Sequence, residues 1–251
     1  MSAERLAALL IQARISGRRI GVLPPELEPA DEDAAYRLQD MIADKLGVKI
    51  AGWKVGAPSR TAPPSCAPLF AGHVVKSPAH LLASQDGENG VEAELAFQMG
   101  ADLPARGRPY SAEEVWEAVA TLHSAIEYLD SRFADRQAVS SLAQLADNLT
   151  NGGFCWGPAT DDWSGLDLAK VEATLLIAGK QAAHAIGGNA AGHPRRLIAW
   201  LANHCAERGR PLRIGDFVTT GSHTGLVTAP LHATVVARFA AIGESQLTLV
   251  G

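Results

Sequence analysis

From Ile50 onward the sequence breaks into short β-type runs separated by glycine and proline, and this pattern constrains the fold more than any other feature. Only two helical patterns interrupt the runs, a clear apolar stripe at 193–208 and a shorter helix at 112–120 after the capping Ser111. A doubly wound sheet needs regular crossover helices, so this fold class is disfavoured. The predicted strands cover residues 51–55, 72–77, 91–99, 121–129, 154–156, 171–177, 217–220 and 231–239.

The first fifty residues predict helices instead. Apolar residues recur at helical spacing around 6–13 and again over 35–46, where Asp31 is the predicted N-cap and Gly47 the predicted stop. We therefore expect a mixed α+β fold, with an N-terminal helical segment over 1–50 and a β-rich catalytic domain over 51–251 that together form one structural unit.

Charge and cysteine content narrow the function classes. A net charge of -5 over 251 residues, with no basic cluster, makes nucleic acid and anionic membranes unexpected partners. Cys66, Cys155 and Cys205 are too widely spaced to suggest a disulfide framework or a zinc site. Neither a signal-peptide core nor an apolar run of membrane-spanning length is visible, so a cytoplasmic enzyme is expected.

Carboxylates at strand period form the most suggestive motif. Glu92 and Glu94 alternate with apolar residues and should therefore point to one face of a strand. A third acid, Glu127, lies in another apolar stretch, where burial is costly without a cation. Converging carboxylates favour Mg²⁺ or Mn²⁺ over zinc. The alternative is that Glu92 and Glu94 simply form the solvent-exposed face of a half-buried strand.

Lys54 is the best candidate for binding an anionic ligand. It lies in a predicted strand between Gly52 and Gly56, which would permit close backbone approach. A lysine in an apolar strand near several acids suggests a charge partner for the ligand, although an outward-facing lysine is equally compatible with the spacing.

Polar loops supply further candidates. Residues 146–154 combine small polar side chains with paired glycines, and 215–224 end a strand in hydroxyls. We expect Asn148, Thr220 and Ser222 to contact a small polar ligand, while a plain turn explains the first segment nearly as well. The proline-rich segment 57–67 is the predicted mobile lid.

Among the histidines, His123 and His223 are the candidates for proton transfer. His123 shares a predicted strand face with Glu127, and His223 lies in the polar loop. Phosphate-binding glycine loops, serine-hydrolase elbows and zinc-protease histidine patterns are not visible in the sequence, so nucleophilic serine or cysteine chemistry has little support.

Taken in order, several of these segments resemble the 2-keto-4-pentenoate hydratase and 4-oxalocrotonate decarboxylase group of the fumarylacetoacetate hydrolase superfamily. The resemblance runs from about residue 30 to the C-terminus. It is carried by Gly52-Trp53-Lys54-Val55-Gly56, Glu92-Ala93-Glu94, Ala125-Ile126-Glu127, Ala146-Asp147-Asn148, Gly192-His193-Pro194, Ala199-Trp200-Leu201-Ala202, Leu212-Arg213-Ile214-Gly215-Asp216 and Thr220-Gly221.

The resemblance implies a curled β-roll and a divalent cation, Mg²⁺ or Mn²⁺, held by Glu92, Glu94 and Glu127. A glutamate as the third ligand suits the hydratase and decarboxylase branch. One departure concerns the segment 65–70, where hydratases of the group usually carry an acid that is a proton-transfer candidate. We therefore expect His223, or else His123, to take over proton transfer.

The function that the resemblance implies is a metal-dependent hydratase, a lyase, acting on an unsaturated 2-oxo acid such as 2-hydroxypenta-2,4-dienoate. Lys54 would bind this anionic substrate, because three carboxylates and one divalent cation leave the site negative. The alternatives are a decarboxylase or C–C hydrolase of a related 2-oxo acid, and a catalytically reduced binding protein of the same fold. A homo-oligomer is also expected.

Overall fold

A computed structural model describes residues 2–84, 87–160 and 162–251. Asp31 caps the second helix by accepting a hydrogen bond from the Ala34 backbone N–H, and Gly47 ends it in the left-handed conformation, as predicted. No helix within the described ranges is long and apolar enough to cross a membrane. The helices are α1 (Ser2–Ser16), α2 (Glu32–Leu46), α3 (Ala112–Glu117), α4 (Ser141–Ala146) and α5 (Arg195–Glu207).

Short strands make up most of the rest of the chain. They are β1 (Ile50–Gly56), β2 (Ser65–Phe70), β3 (Val74–Lys76), β4 (Ala79–Leu82), β5 (Gly90–Met99), β6 (Val119–Leu129), β7 (Asn151–Thr160), β8 (Glu172–Ile177), β9 (Lys180–Ile186), β10 (Phe217–Ser222), β11 (Val227–Thr228), β12 (Thr234–Phe239) and β13 (Gly243–Val250).

The strands form two sheets that pack on each other. The larger sheet has the order β2-β1-β10-β5-β6-β7-β3, with β11 added to β5, and the smaller one has the order β4-β13-β12-β8-β9. Strands β12 and β13 contact the larger sheet, where Val91, Ala93 and Leu95 of β5 belong to the same buried cluster as Phe239 and Leu247. The opposite face of β5 is thereby left for Glu92 and Glu94.

The N-terminal helices share this core. Leu6 of α1 and Leu38 of α2 belong to the same buried cluster as Trp53 of β1. The mixed α+β class is confirmed. One continuous core therefore includes residues from both sides of residue 50. The boundary between a helical segment and a β-rich domain at that residue stays a prediction.

Several boundaries differ from the sequence-based prediction. Helix α3 ends at Glu117 because β6 begins at Val119, and α5 begins at Arg195. The predicted lid over 57–67 is wrong for its last three residues, which form the start of β2 and pair with β1. Pro58, Pro63 and Pro64 suggested a loop, but all three precede β2, which lies at the edge of its sheet, where even Pro68 is tolerated.

Candidate metal centre

Antiparallel pairing of β5 with β6 brings three carboxylates together. Glu92 lies directly opposite Glu127, and Glu94 follows two residues along the same face. Ligand oxygens of Glu92, Glu94 and Glu127 all lie within 4.8 Å of one another. Glu94 and Glu127 are buried, and Glu92 is half-buried. This face of the strand is therefore not simply a solvent-exposed one.

Burial and mutual repulsion make the ionised cluster unfavourable on its own. Burial, followed by the charge of Glu127, raises the pKa of Glu92 to about 7. The same two causes raise the pKa of Glu94 well above its usual range. Concentrated negative charge of this kind is stabilised by a cation.

Lys54 supplies part of that positive charge. Its Nζ donates to Glu127 Oε1 at 2.5 Å and to the carbonyl oxygen of Leu149 at 3.1 Å. Burial works against the ammonium, but the carboxylates of Glu127, Glu94 and Glu92 outweigh it and raise the pKa of Lys54. The side chain thus faces the carboxylates rather than solvent.

The two glycines around Lys54 differ in their surroundings. A Cβ at Gly52 would lie 2.1 Å from the Phe217 carbonyl oxygen, so only glycine allows β1 to pair this closely with β10. A Cβ at Gly56 would meet nothing within 4 Å. Close backbone approach therefore requires glycine at position 52 but not at position 56.

Neighbouring groups orient the carboxylates. Thr219 Oγ1 and the Gly221 backbone N–H both donate to Glu94 Oε2, and Asn151 Nδ2 donates to Glu127 Oε1 at 2.8 Å. Gly221 has a φ of 90°, which glycine adopts without strain. Thr219 and Asn151 were not predicted as site residues, although both lie in the polar segments 215–224 and 146–154.

The donor set fits a divalent cation with a preference for oxygen. Glu127 Oε2 is buried and has no hydrogen-bond partner among the described residues, so one carboxylate oxygen is left available to a ligand. Carboxylate oxygens are the ligands that Mg²⁺, Mn²⁺ and Ca²⁺ prefer. The three glutamates could therefore hold such an ion.

The predicted substrate-binding residues differ in what they contact. Ser222 pairs with Glu94 across β10 and β5, and its buried hydroxyl has no hydrogen-bond partner within the described parts of the chain. Thr220 Oγ1 instead donates to the Leu95 carbonyl oxygen, and Asn148 Nδ2 to that of Pro68. Of the three, Ser222 is the one left available to a ligand.

The segment that carries Asn148 is held from behind by a buried ion pair. Residues Asn148–Thr150 are all left-handed, an unusual backbone that needs support from its surroundings. Arg132 pairs with the Asp147 carboxylate and also donates to the backbone carbonyls of Asp147 and Asn151. These contacts fix the loop from which Asn151 and the Leu149 carbonyl reach the metal centre.

The paired glycines of this segment serve packing. A Cβ at Gly152 would lie 2.6 Å from the Asp130 side chain, and one at Gly153 would lie 2.4 Å from that of Leu81. Direct ligand binding is therefore not needed to explain them.

His123 lies on the face of Glu127 but four residues along the strand, a separation of about 13 Å. Its Nδ1 and Nε2 are within hydrogen-bond distance of the Gly157 carbonyl and Thr121 Oγ1, and its ring meets Trp156 edge-on. Its ring nitrogens are thus already engaged, which gives the predicted proton-transfer role no support.

His223 is also placed differently from the expectation. Its backbone N–H donates to the Ala93 carbonyl, and its ring packs edge-on against Phe239 of the smaller sheet. Burial lowers its pKa to about 4, so the ring is neutral at pH 7. This packing does not favour the predicted role of His223 in proton transfer, which remains untested.

Variants of both histidines test this prediction. A proton-transfer role predicts that His223→Gln or His123→Gln lowers turnover by about 100-fold while Mg²⁺ affinity is preserved. Ser65 shares the face of Lys54 on the paired strands, so Ser65→Asp is expected to raise turnover by restoring an acid there. Normal turnover in both histidine variants would remove both rings from the mechanism.

The family whose profile matches the chain is described as the C-terminal domain of fumarylacetoacetate (FAA) hydrolase, and the match covers residues 65–250. The chain therefore belongs to the fumarylacetoacetate hydrolase family.

Similar proteins cover nearly the whole chain. A 2-keto-4-pentenoate hydratase of Burkholderia vietnamiensis is 28% identical over 98% of this chain and 97% of that protein. The 2-keto-4-pentenoate hydratase 1 of Dechloromonas aromatica is 30% identical over 88% and 87%. The structure of 4-oxalocrotonate decarboxylase from Pseudomonas putida G7, complexed with calcium and acetate, has a TM-score of 0.82 at 23% identity, with 98% of each chain covered. This last likeness shows a shared fold.

Proposed function

We propose that the protein is a divalent-metal-dependent hydro-lyase that adds water to an unsaturated 2-oxo acid such as 2-hydroxypenta-2,4-dienoate. The observation that carries this proposal is the convergence of Glu92, Glu94 and Glu127 beside the buried ammonium of Lys54. The similarity to proteins named 2-keto-4-pentenoate hydratase supports the choice of reaction.

Within the site, the three glutamates would hold the cation through their oxygens. When bound, a divalent cation supplies positive charge that polarises the keto group of a 2-oxo acid and stabilises negative charge on its oxygen. Lys54 attracts the substrate carboxylate and offsets the net negative charge of the carboxylates. Ser222 Oγ, which lies on the face of Glu94, orients the ligand by a hydrogen bond.

Hydration requires a proton to be added at two carbon atoms, and each addition is balanced by loss of a proton from an oxygen atom. A proton added at C5 of the dienoate, with loss of the proton of the 2-hydroxyl group, converts the enol into a 2-oxo-3-enoate. Water then adds to C4 and loses one of its protons while a proton is delivered to C3, which gives 4-hydroxy-2-oxopentanoate. Lys54 of β1, Ser222 of β10 and Glu127 of β6 would orient the substrate for this course.

The same groups could serve other outcomes of 2-oxo acid chemistry. Loss of a β-carboxylate and C–C hydrolysis both need a polarised keto group, so decarboxylase and hydrolase activities are the alternatives. The structural neighbour called 4-oxalocrotonate decarboxylase shares the fold. The non-enzymatic alternative is a catalytically reduced binding protein of the same fold.

The test is product identification. The protein is incubated with Mg²⁺ and 2-hydroxypenta-2,4-dienoate in deuterated buffer and followed by NMR. A hydratase yields 4-hydroxy-2-oxopentanoate at a rate that EDTA abolishes. Hydrogencarbonate released from a 2-oxo acid with a β-carboxylate, with no hydration of the dienoate, would establish the decarboxylase instead. Saturable binding without turnover of either compound would identify a binding protein.

Lys54→Met tests the anion-binding role. It removes a charge-assisted hydrogen bond worth about 1.5–3 kcal/mol, so the inhibition constant of oxalate is expected to rise by at least about tenfold, with Mg²⁺ affinity little changed. Lys49→Met, an exposed lysine just before β1, is the matched control and should leave inhibition unchanged. An oxalate inhibition constant that is the same in Lys54→Met as in the wild type would refute the role.

The proposal also covers the natural metal ion, the oligomeric state, the cellular compartment and the partners. We expect Mg²⁺ or Mn²⁺ as the natural ion, a homo-oligomer in the cytoplasm, and neither nucleic acid nor membrane as a partner. Metal analysis of the purified protein and light scattering test the first two of these expectations.

A further inference from the structure

Behind the metal centre, on the other side of β6, lies a separate cavity of about 720 Å³. Tyr128 lines it, and since Tyr128 alternates with Glu127 along the strand, the two side chains point to opposite faces. The end of α1, the end of β4 and the segment after β6 form its walls. Among the lining residues that the structure describes, Arg14, Arg18, Arg19 and Arg132 are the cations and Asp130 is the single acid.

Arg14 is the main candidate contact in this cavity, because no acid among the described residues pairs with it. Its guanidinium lies 5.0 Å from the centre of the Phe70 ring and makes no hydrogen bond or ion pair with any residue that the structure describes. Burial, and then the nearby charge of Arg132, lower the pKa of Arg14 to about 9, whereas the charges of Asp147 and Asp130 act in the opposite direction. A half-buried guanidinium facing a second one is unfavourable without an anion.

The neighbouring acids are already engaged. Asp147 pairs with Arg132, and Asp130 pairs with Arg19, which also donates to the Ser131 carbonyl oxygen. The charges of Arg14 and of the exposed Arg18 are therefore left without a paired acid within the described ranges.

His73 reports on the same excess of positive charge. It lines the cavity, and burial, followed by the charges of Arg14 and Arg132, lowers its pKa, whereas Asp130 acts in the opposite direction. A neutral imidazole at this place can donate one hydrogen bond to an anion without adding charge. The lining thus combines planar guanidinium donors with a neutral donor.

The rim of the cavity is apolar. Ile15 and Leu82 line it and expose 70% and 75% of their surface. Exposed side chains of this size beside arginines favour a ligand whose charged end enters the cavity while a short apolar part rests on the rim.

We infer that this cavity is a binding site for a small dianionic oxyanion, with Arg14 as its principal contact. A phosphate group and a short dicarboxylate share this chemistry, because planar guanidinium groups bind either of them through paired hydrogen bonds. The site is distinct from the metal centre and does not depend on the proposed reaction.

Titration calorimetry of the full chain at constant ionic strength tests the inference. The probes are inorganic phosphate, n-butyl phosphate and succinate, with chloride as the competing monovalent ion. Wild-type protein is expected to bind a dianion, and Arg14→Gln is expected to weaken that binding by at least about tenfold. Tighter binding of n-butyl phosphate than of phosphate would assign the site to phosphate monoesters, and preference for succinate would assign it to dicarboxylates.

The matched control is Arg5→Gln, which removes the same charge from an exposed position on α1 and should leave binding unchanged. Arg18→Gln, a second change within the cavity, keeps the test decisive if Arg14→Gln does not fold, and it should weaken binding by a smaller factor. Absence of dianion binding in the wild type would overturn the inference. So would binding that neither cavity variant weakens, as expected for phosphate held at the metal centre.

Discussion

Replacing Glu94 by Gln is expected to weaken Mg²⁺ binding by about 100-fold or more while the protein still folds. Residues that merely orient a metal ligand change metal affinity by about 10–100-fold, so loss of a charged ligand should cost at least the upper end of that range. Thr219 and the Gly221 N–H can still donate to the amide oxygen, which preserves the local shape. Calorimetry with Mg²⁺ and with Mn²⁺ measures the change.

Stability of the metal-free protein provides a second readout with the opposite sign. Glu94 is buried beside Glu92 and Glu127, so loss of its negative charge relieves repulsion, and the free energy of unfolding should stay equal or rise. Glu88→Gln is the matched control, because this exposed acid influences Glu92 only through its charge. Unchanged Mg²⁺ affinity in Glu94→Gln, or an equal loss in Glu88→Gln, would contradict the assignment.

Arg132→Met is expected to destabilise the protein by about 3–5 kcal/mol, because it leaves the buried Asp147 carboxylate without its partner. It also releases the carbonyl of Asn151, whose side chain orients Glu127. Metal affinity should therefore fall together with stability. Urea unfolding with and without Mg²⁺ measures both effects.

A surface ion pair gives the control for this variant. Arg136 pairs with Glu88 near the surface, and Arg136→Met should cost less than about 1 kcal/mol. The double variant Arg132→Met with Asp147→Leu should recover part of the loss, since it removes the orphaned charge. Equal destabilisation by Arg132→Met and Arg136→Met would show that the buried pair does not hold the loop.

Local patterns in the sequence were sufficient where one residue spacing decides the outcome. Alternation along β5 correctly divided Val91, Ala93 and Leu95 from Glu92 and Glu94, because side-chain direction in a strand follows directly from parity. The capped helix α2 was likewise predictable from Asp31 and Gly47.

Features that depend on distant pairing were not predictable. Strand β2 resembled a loop because its stability comes from pairing with β1 rather than from its own composition. The direction of His223 depends on the irregular register between β10 and β5, where the pairing shifts between Thr219 and Ser222. The buried pair of Arg132 and Asp147 joins residues whose contact no local spacing suggests.

The most direct test of the account is the position of a bound ion. A crystal grown with Mn²⁺ and measured at a wavelength that gives strong anomalous scattering from manganese should show a single peak at the carboxylates of Glu92, Glu94 and Glu127, near Lys54. A peak at other residues, or none at these carboxylates at saturating Mn²⁺, would contradict the central claim that the three glutamates hold one divalent cation.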